Sequence, residues 1–385
     1  METRFDRKQP LSERDLNRIH SATVDVLKNV GMVFDSDRAV EVFKQHGFKT
    51  EGRKVYFTAQ AIEDALDTVG NEFTVLSRDP NKSYEMNRES FIVHLGGGAP
   101  FFLDYDGDRR RATTDDFVNV LKLAHSLDVI KHIRTLISPD DFPYKENEAS
   151  RSYMNYLTIK HTEKPMHLGP GYGIDMLCIV LGITREKMKE LAEKGFVYGD
   201  SGINPTSPLI LGESQCDNLF NMAEIGMPLD ISPMVTAGTT GPCTLPGVLL
   251  LQNCEIIGPM VLTQLAKPGL AIRYGTISSA ADMRTLSAIY GSPEARLIEL
   301  ASAQIAHFYG LLSRGDVGLT DAITSDFQAG AESMFQFLNV VRSGINFLPG
   351  CGHLGSFLEG SLEKVVLDAE IAEYVTRFFR PLEFN

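Results

Sequence analysis

From residue 91 onward, short apolar runs that stop at Gly, Pro, Ser or Asp alternate with longer runs of helical apolar spacing. That alternation constrains the fold more than any other feature of the chain. The strand-like runs are 91–95, 132–137, 165–168, 208–211, 229–232, 271–274, 311–314 and 345–348. Helices are expected at 115–126, 148–161, 174–194, 215–225, 245–266, 284–308, 328–341 and 361–379. Eight of each fit an α/β fold of the (β/α)8 TIM-barrel type better than the alternative, a doubly wound open sheet.

Residues 1–90 read differently. Leu16, Ile19, Val24 and Leu27 recur at helical spacing, and Ser36 and Thr58 stand where N-caps belong. The expectation is an N-terminal helical module (1–90) on a barrel (91–385), with a hairpin at 101–105 and 109–112 turning at Asp106-Gly107. The 37 Lys and Arg against 50 Asp and Glu give a net charge of −13, which argues against nucleic acid or an anionic membrane as partner and suits a cationic substrate. Five scattered cysteines without a Cys-x-x-Cys pair point to a reducing, cytoplasmic setting. Residues 1–15 are polar, so no signal peptide is visible. The longest apolar stretch, 246–266, is interrupted by Asn253 and Glu255 and reads as a buried helix rather than a membrane span.

Active sites of barrels gather where the strands end. Those ends carry Gly96-Gly97-Gly98, Ser138-Pro139-Asp140, Gly169-Pro170-Gly171-Tyr172, Gly212-Glu213-Ser214, Ser232-Pro233-Met234, Tyr274-Gly275, Arg314-Gly315-Asp316 and Gly350-Cys351-Gly352-His353. Glycine at such points lets backbone approach a ligand closely, although glycine also commonly just ends strands. There is no dinucleotide fingerprint, P-loop or G-x-S-x-G elbow. Asp104, Asp106 and Asp108 imitate a calcium loop, but Arg109 and Asp115 occupy its Gly and Glu positions. Cys351, His353, His94 and His167 have no metal-ligand spacing, so no bound metal is expected, and His94 and His167 read as core histidines. His353 lies in a Gly-rich turn and is the candidate catalytic residue. Tyr172, Tyr274, Phe101, Phe347 and Phe357 stand near the mouth, and with Glu213 and Asp316 could cage a quaternary ammonium. Arg314 has the planar fork that suits a substrate carboxylate, or else pairs with Asp316 or Glu213.

One ordered set of motifs goes further. It runs from Gly96-Gly97-Gly98-Ala99-Pro100 and Arg111-Ala112-Thr113 through residues 234–247, Asn253-Cys254-Glu255 and Gln264-Leu265-Ala266-Lys267-Pro268-Gly269. Asp282-Met283-Arg284-Thr285, Tyr290-Gly291-Ser292-Pro293-Glu294, Gly318-Leu319-Thr320-Asp321, residues 326–332 and Ser361-Leu362-Glu363-Lys364 complete it. The set resembles the trimethylamine methyltransferase (MttB-like) superfamily over most of residues 10–380. The resemblance implies a barrel that moves a methyl group from a methylated amine to the cob(I)alamin of a separate corrinoid protein, giving methylcobalamin. The chain has only standard residues and no pyrrolysine, so it looks like the branch that takes a quaternary amine such as glycine betaine, proline betaine or carnitine. On this reading His353 faces the cofactor, and Gly97, Gly98, Gly350 and Gly352 admit it. Tyr274, Phe357, Glu213, Asp316 and Tyr172 surround the ammonium, while Arg314 meets the carboxylate. A homo-oligomer is expected, and the barrel is expected to lack a C-terminal helical tail that is usual in relatives. The remaining alternatives are a non-catalytic betaine-binding or corrinoid-docking module and an unrelated barrel enzyme. The latter is disfavoured because no Lys follows a strand.

Overall fold

The computed structural model describes residues 9–143, 147–169, 172–380 and 382. Eight parallel strands form one ring: β1 (Ile92–Leu95), β2 (Ile130–His132), β3 (Met166–His167), β4 (Gly199–Ile203), β5 (Leu229–Ile231), β6 (Ile272–Gly275), β7 (Leu312–Arg314) and β8 (Phe347–Cys351). Each pairs with its chain neighbours, and β8 pairs with β1. Ile133 closes the ring onto β3 by donating from its N–H to the Pro165 carbonyl (2.9 Å) and accepting from the His167 N–H (2.9 Å).

The helices follow their local signals. α1 (Glu13–Asn29) opens with a capping box of Ser12 and Asp15. Ser36 and Thr58 cap α2 (Asp37–Gln45) and α3 (Ala59–Thr68), as the sequence predicts. Around the barrel run α4 (Thr114–Ser126), α5 (Asn147–His161), α6 (Gly173–Leu181), α7 (Arg185–Glu193), α8 (Glu213–Ile225), α9 (Leu245–Ala266), α10 (Pro293–Phe308), α11 (Phe327–Arg342) and α12 (Leu362–Phe378). α9 is the long apolar stretch; it is largely buried, with Gln252, Asn253 and Glu255 fully so. Asn253 holds three elements together: its amide donates to Thr23 (2.8 Å) and Tyr309 (2.9 Å), and its carbonyl accepts from Tyr274 (2.9 Å).

Several expected boundaries change. The fourth barrel strand is Gly199–Ile203, not 208–211. Ile210–Leu211 instead pairs with Val33 and Phe34, in a small sheet with Lys49–Glu51 and Lys54–Tyr56. The sequence reading passed over Gly199-Asp200-Ser201-Gly202 because apolar residues signal strands, and here polar groups face a polar barrel interior. The expected helix 174–194 is two, separated at Gly182, which takes a left-handed φ of +65°. The expected helix 284–308 begins only at Pro293, capped by Ser292, because Ser279–Ala281 and Ala288–Ile289 form a hairpin first. The second strand lies earlier than 132–137. Residues 9–90 carry three helices and short strands, and their apolar side chains join the same core as α9 and the barrel wall.

Two features cap the ring. Phe73–Val75, Tyr84–Met86 and Phe196–Val197 form a sheet whose Phe73, Val75 and Met86 meet Ile92, Leu312 and Phe347 at the N-terminal end of the barrel. At the other end the expected hairpin, Phe101–Leu103 with Arg109–Arg111, joins Glu359–Gly360 and His353–Leu354 in a sheet at the mouth.

Candidate active site

Alternation along the strands sends every second side chain inward. Here the inward positions form two polar layers. In the lower layer Arg273 of β6 bridges Asp230 and Asp200, the latter at 2.6 Å, and its guanidinium lies 3.7 Å from the Phe347 ring centre. Asp200 also meets His167 Nδ1 at 3.0 Å and His132 Nε2 at 3.4 Å. Tyr84 lies 2.8 Å from His132 Nδ1, and His94 donates from Nδ1 to the Leu95 carbonyl (2.7 Å). Burial holds the His94 and His167 imidazoles below their usual range, so both are neutral at neutral pH. Arg273 and the histidines hold the Asp200 carboxyl well below its usual value against the opposing effect of burial. Both histidines are therefore core residues of a hydrogen-bonded network.

The upper layer faces the mouth. Arg314 of β7 forks onto Asp316 (3.0 and 2.8 Å) and donates to the Thr276 carbonyl (2.6 Å). Burial raises the Asp316 carboxyl, opposed by Arg314 and Arg296. The fork favours the ionised carboxylate against that rise. Arg296 in turn pairs with Glu299, whose pKa burial pushes up to about 7. Phe357 stacks 4.8 Å from Tyr290, edge to face, and 4.7 Å from the His353 ring. The Tyr290 hydroxyl, the Ser279 hydroxyl and both His353 nitrogens have no hydrogen-bond partner among the described residues. Unpaired polar atoms in a buried place mark where a ligand can supply the missing partner. His353 is fully buried, and burial pushes its pKa down to about 3, so its imidazole is neutral. Ser356 and Phe357 both hold left-handed φ values, +55° and +74°. Non-glycine side chains seldom adopt that conformation, and here it sets Phe357 against His353.

The structure brings together four of the expected site residues: His353, Phe357, Arg314 and Asp316. Others fall elsewhere. Tyr274 points outward from β6 toward α9, because its neighbour Arg273 takes the inward position. It is thus removed from the mouth. Glu213 is exposed at the start of α8, beyond the strand that left the barrel for the N-terminal sheet. Tyr172 is 57% exposed on the loop after β3, while the expected Pro170 and Gly171 lie outside the described residues. Phe347 belongs to the lower layer, and Phe101 lies between Arg109 and Arg111.

The glycines divide the same way. Gly98 is exposed, with φ +87° and nothing near a would-be Cβ. Gly97 makes room for Arg134, whose Nε would lie 2.9 Å from a Cβ there. Gly350 and Gly352 are packing positions, not openings. A Cβ on Gly350 would meet the Val317 carbonyl at 1.9 Å, and one on Gly352 would meet Val365 and Leu136. Two residues that matter at the mouth escaped the sequence reading. Tyr290 lay within the overlong expected helix, and Arg134 lay inside the misplaced second strand. The motif Tyr290-Gly291-Ser292-Pro293-Glu294 held a usable signal, since Ser-Pro-Glu is a helix start and leaves Tyr290 on the loop before it. Among the described residues no group of three or more His, Cys, Asp or Glu is arranged to hold a metal.

The rim carries exposed apolar side chains. Gly98 is open, and Met234, Met283, Leu286, Ile323 and Leu358, all on loops that follow strands, are exposed. A groove of about 640 Å³ lies at the opposite end of the barrel between Ile92, Lys131 and Arg377.

Fold and site together define a (β/α)8-barrel enzyme with a buried, charge-paired and aromatic mouth. The trimethylamine methyltransferase (MTTB) family profile matches residues 1–385, and the chain belongs to that family. It is 35% identical to a glycine betaine methyltransferase of Desulfitobacterium hafniense, over 97% of this chain and 78% of that protein. It is 30% identical to a proline betaine:corrinoid methyltransferase of Eubacterium limosum, over 97% of this chain and 78% of the relative. The monomethylamine methyltransferase of Methanosarcina barkeri shares the fold, with a TM-score of 0.62 at 11% identity, covering 95% of this chain and 75% of that one.

Proposed function

We propose that this chain, in the cytoplasm, transfers a methyl group from a quaternary amine, glycine betaine first, to the cob(I)alamin of a separate corrinoid protein. The observation that carries the reading is the pairing of an aromatic corner, Tyr290 and Phe357, with the buried carboxylate of Asp316 at one barrel mouth. Aromatic faces and a nearby carboxylate attract a cation that cannot donate hydrogen bonds. The glycine betaine and proline betaine relatives support the same substrate class.

The corrinoid, when docked, supplies a Co(I) nucleophile that takes the methyl carbon as the C–N bond breaks and its electron pair stays on nitrogen. The chain's own residues do the rest. A quaternary nitrogen leaves as a neutral tertiary amine and needs no proton. That agrees with a mouth in which His353, with its pKa near 3, is neutral across the working range. His353 and Tyr290 fix the Phe357 ring, and Arg314 fixes the Asp316 carboxylate, so the ammonium meets groups that need not reorganise. The rim glycine Gly98 has open space where a side chain would stand.

Mass spectrometry of an anaerobic mixture of protein, cob(I)alamin and glycine betaine tests this. Dimethylglycine forming only when both protein and cob(I)alamin are present is expected; its absence overturns the reading. Phe357→Ala is expected to raise KM for the quaternary amine about tenfold.

A further inference from the structure

Three guanidinium groups face the barrel interior. Arg273 is held by Asp200 and Asp230, and Arg314 by Asp316 and the Thr276 carbonyl. Arg134 is different. It follows β2 at the mouth end, its side chain crosses the space left by Gly97, and it has no carboxylate or hydrogen-bond partner among the described residues. The residue as a whole is only partly buried.

Its place is central. Arg134 acts electrostatically on His94, His167 and His353, which lie on three different strands or strand ends. Burial and the facing charge of Arg314 both disfavour its cation, while Asp230, Asp316 and Asp200 oppose them from farther off. A guanidinium stays protonated regardless. The mouth therefore holds two like charges of which one has a partner and the other has none. An anion entering beside Arg134 would relieve that repulsion and complete the pairing.

We propose that Arg134 is the specificity residue that receives the substrate's carboxylate, restricting the site to quaternary ammonium compounds that carry one. This rests on the proposed function and refines it. Arg314, the residue the sequence suggested for this task, already commits both terminal nitrogens to Asp316 and the Thr276 carbonyl, leaving only Nε without a partner among the described residues. The zwitterion then lies across the mouth, its carboxylate on Arg134 and its ammonium among Phe357, Tyr290 and Asp316. The aromatic corner alone would accept choline or tetramethylammonium as readily as a betaine, so the discrimination falls to Arg134.

Calorimetric titration of the full chain with glycine betaine and with choline tests the proposal without turnover. The wild type is expected to prefer glycine betaine. Arg134→Gln is expected to weaken glycine betaine by about 10- to 100-fold and leave choline within about twofold, because only the charge-assisted pair is lost. Arg134→Lys is expected to recover part of the loss, since it restores charge but not the fork. Unchanged circular dichroism and Tm are expected, as Arg134 makes no structural bond. If Arg134→Gln keeps the wild-type preference, or loses both ligands equally while still folded, the anchor is overturned and the function stands. If the wild type binds neither compound, the function reading falls and takes the anchor with it.

Discussion

Gly350 and Gly98 are the same residue under opposite constraints. Gly350 has φ +134° and a would-be Cβ 1.9 Å from the Val317 carbonyl, whereas Gly98 has φ +87° and open space. Gly350→Ala is expected to cost more than about 3 kcal/mol and Gly98→Ala only about 1 kcal/mol, read as urea midpoints. Tyr274 gives a second contrast. Tyr274→Phe leaves the Asn253 carbonyl short of a partner, at about 1–2 kcal/mol of stability, yet kcat/KM is expected to stay within about twofold because the hydroxyl faces α9. A tenfold fall in kcat/KM would return Tyr274 to the site. The sequence did place His353, Phe357, Arg314 and Asp316 near one another, because counting residues from a strand end locates a side chain to within a loop. It did not show which way Tyr274 points. Inward and outward alternate every residue, so the direction depends on a register that the composition of one strand does not reveal.

Among the elements, α9 carries a charge that its surroundings oppose. Glu255 accepts from the Ser207 hydroxyl (2.8 Å) and the Leu209 N–H (2.9 Å), with no cation paired to it among the described residues, and burial pushes its pKa up to about 7. Its pKa in the unfolded chain is 4.5, so between pH 4.5 and 7 the folded state binds the extra proton. Stability is therefore greatest below that interval, falls as pH rises through it, and is level above pH 7. The loss is about 3 kcal/mol on an order-of-magnitude scale. Glu255→Gln is expected to flatten the fall in Tm over this range; an unaltered slope would show that Glu255 is ionised in the folded state from low pH. The β4 strand teaches the related lesson in sequence terms. Helices such as α9 were legible because caps and apolar spacing are local signals. β4 was not, because Asp200 is stabilised there by Arg273, a partner 73 residues away. Removing that partner by Arg273→Met is expected to cost about 3–5 kcal/mol, as it leaves Asp200 and Asp230 buried without a counter-charge.

At the scale of the whole molecule, the alternation of strands and helices announces the barrel, but the two ends of the barrel differ in ways no single run shows. One end is plugged by Phe73, Val75 and Met86, contributed by a segment that precedes the barrel. The proposed site lies at the other end, where paired charges, aromatic rings and open rim share one mouth. On the proposed function, this mouth passes a methyl group from a quaternary amine to a corrinoid. The most direct measurement is the anaerobic absorbance of cob(I)alamin with this protein and, separately, glycine betaine, proline betaine, carnitine and choline. Loss of the cob(I) spectrum and growth of methylcobalamin are expected with the carboxylate-bearing donors, glycine betaine foremost. A cob(I) spectrum unchanged by every donor, in protein shown to be folded, would contradict that function.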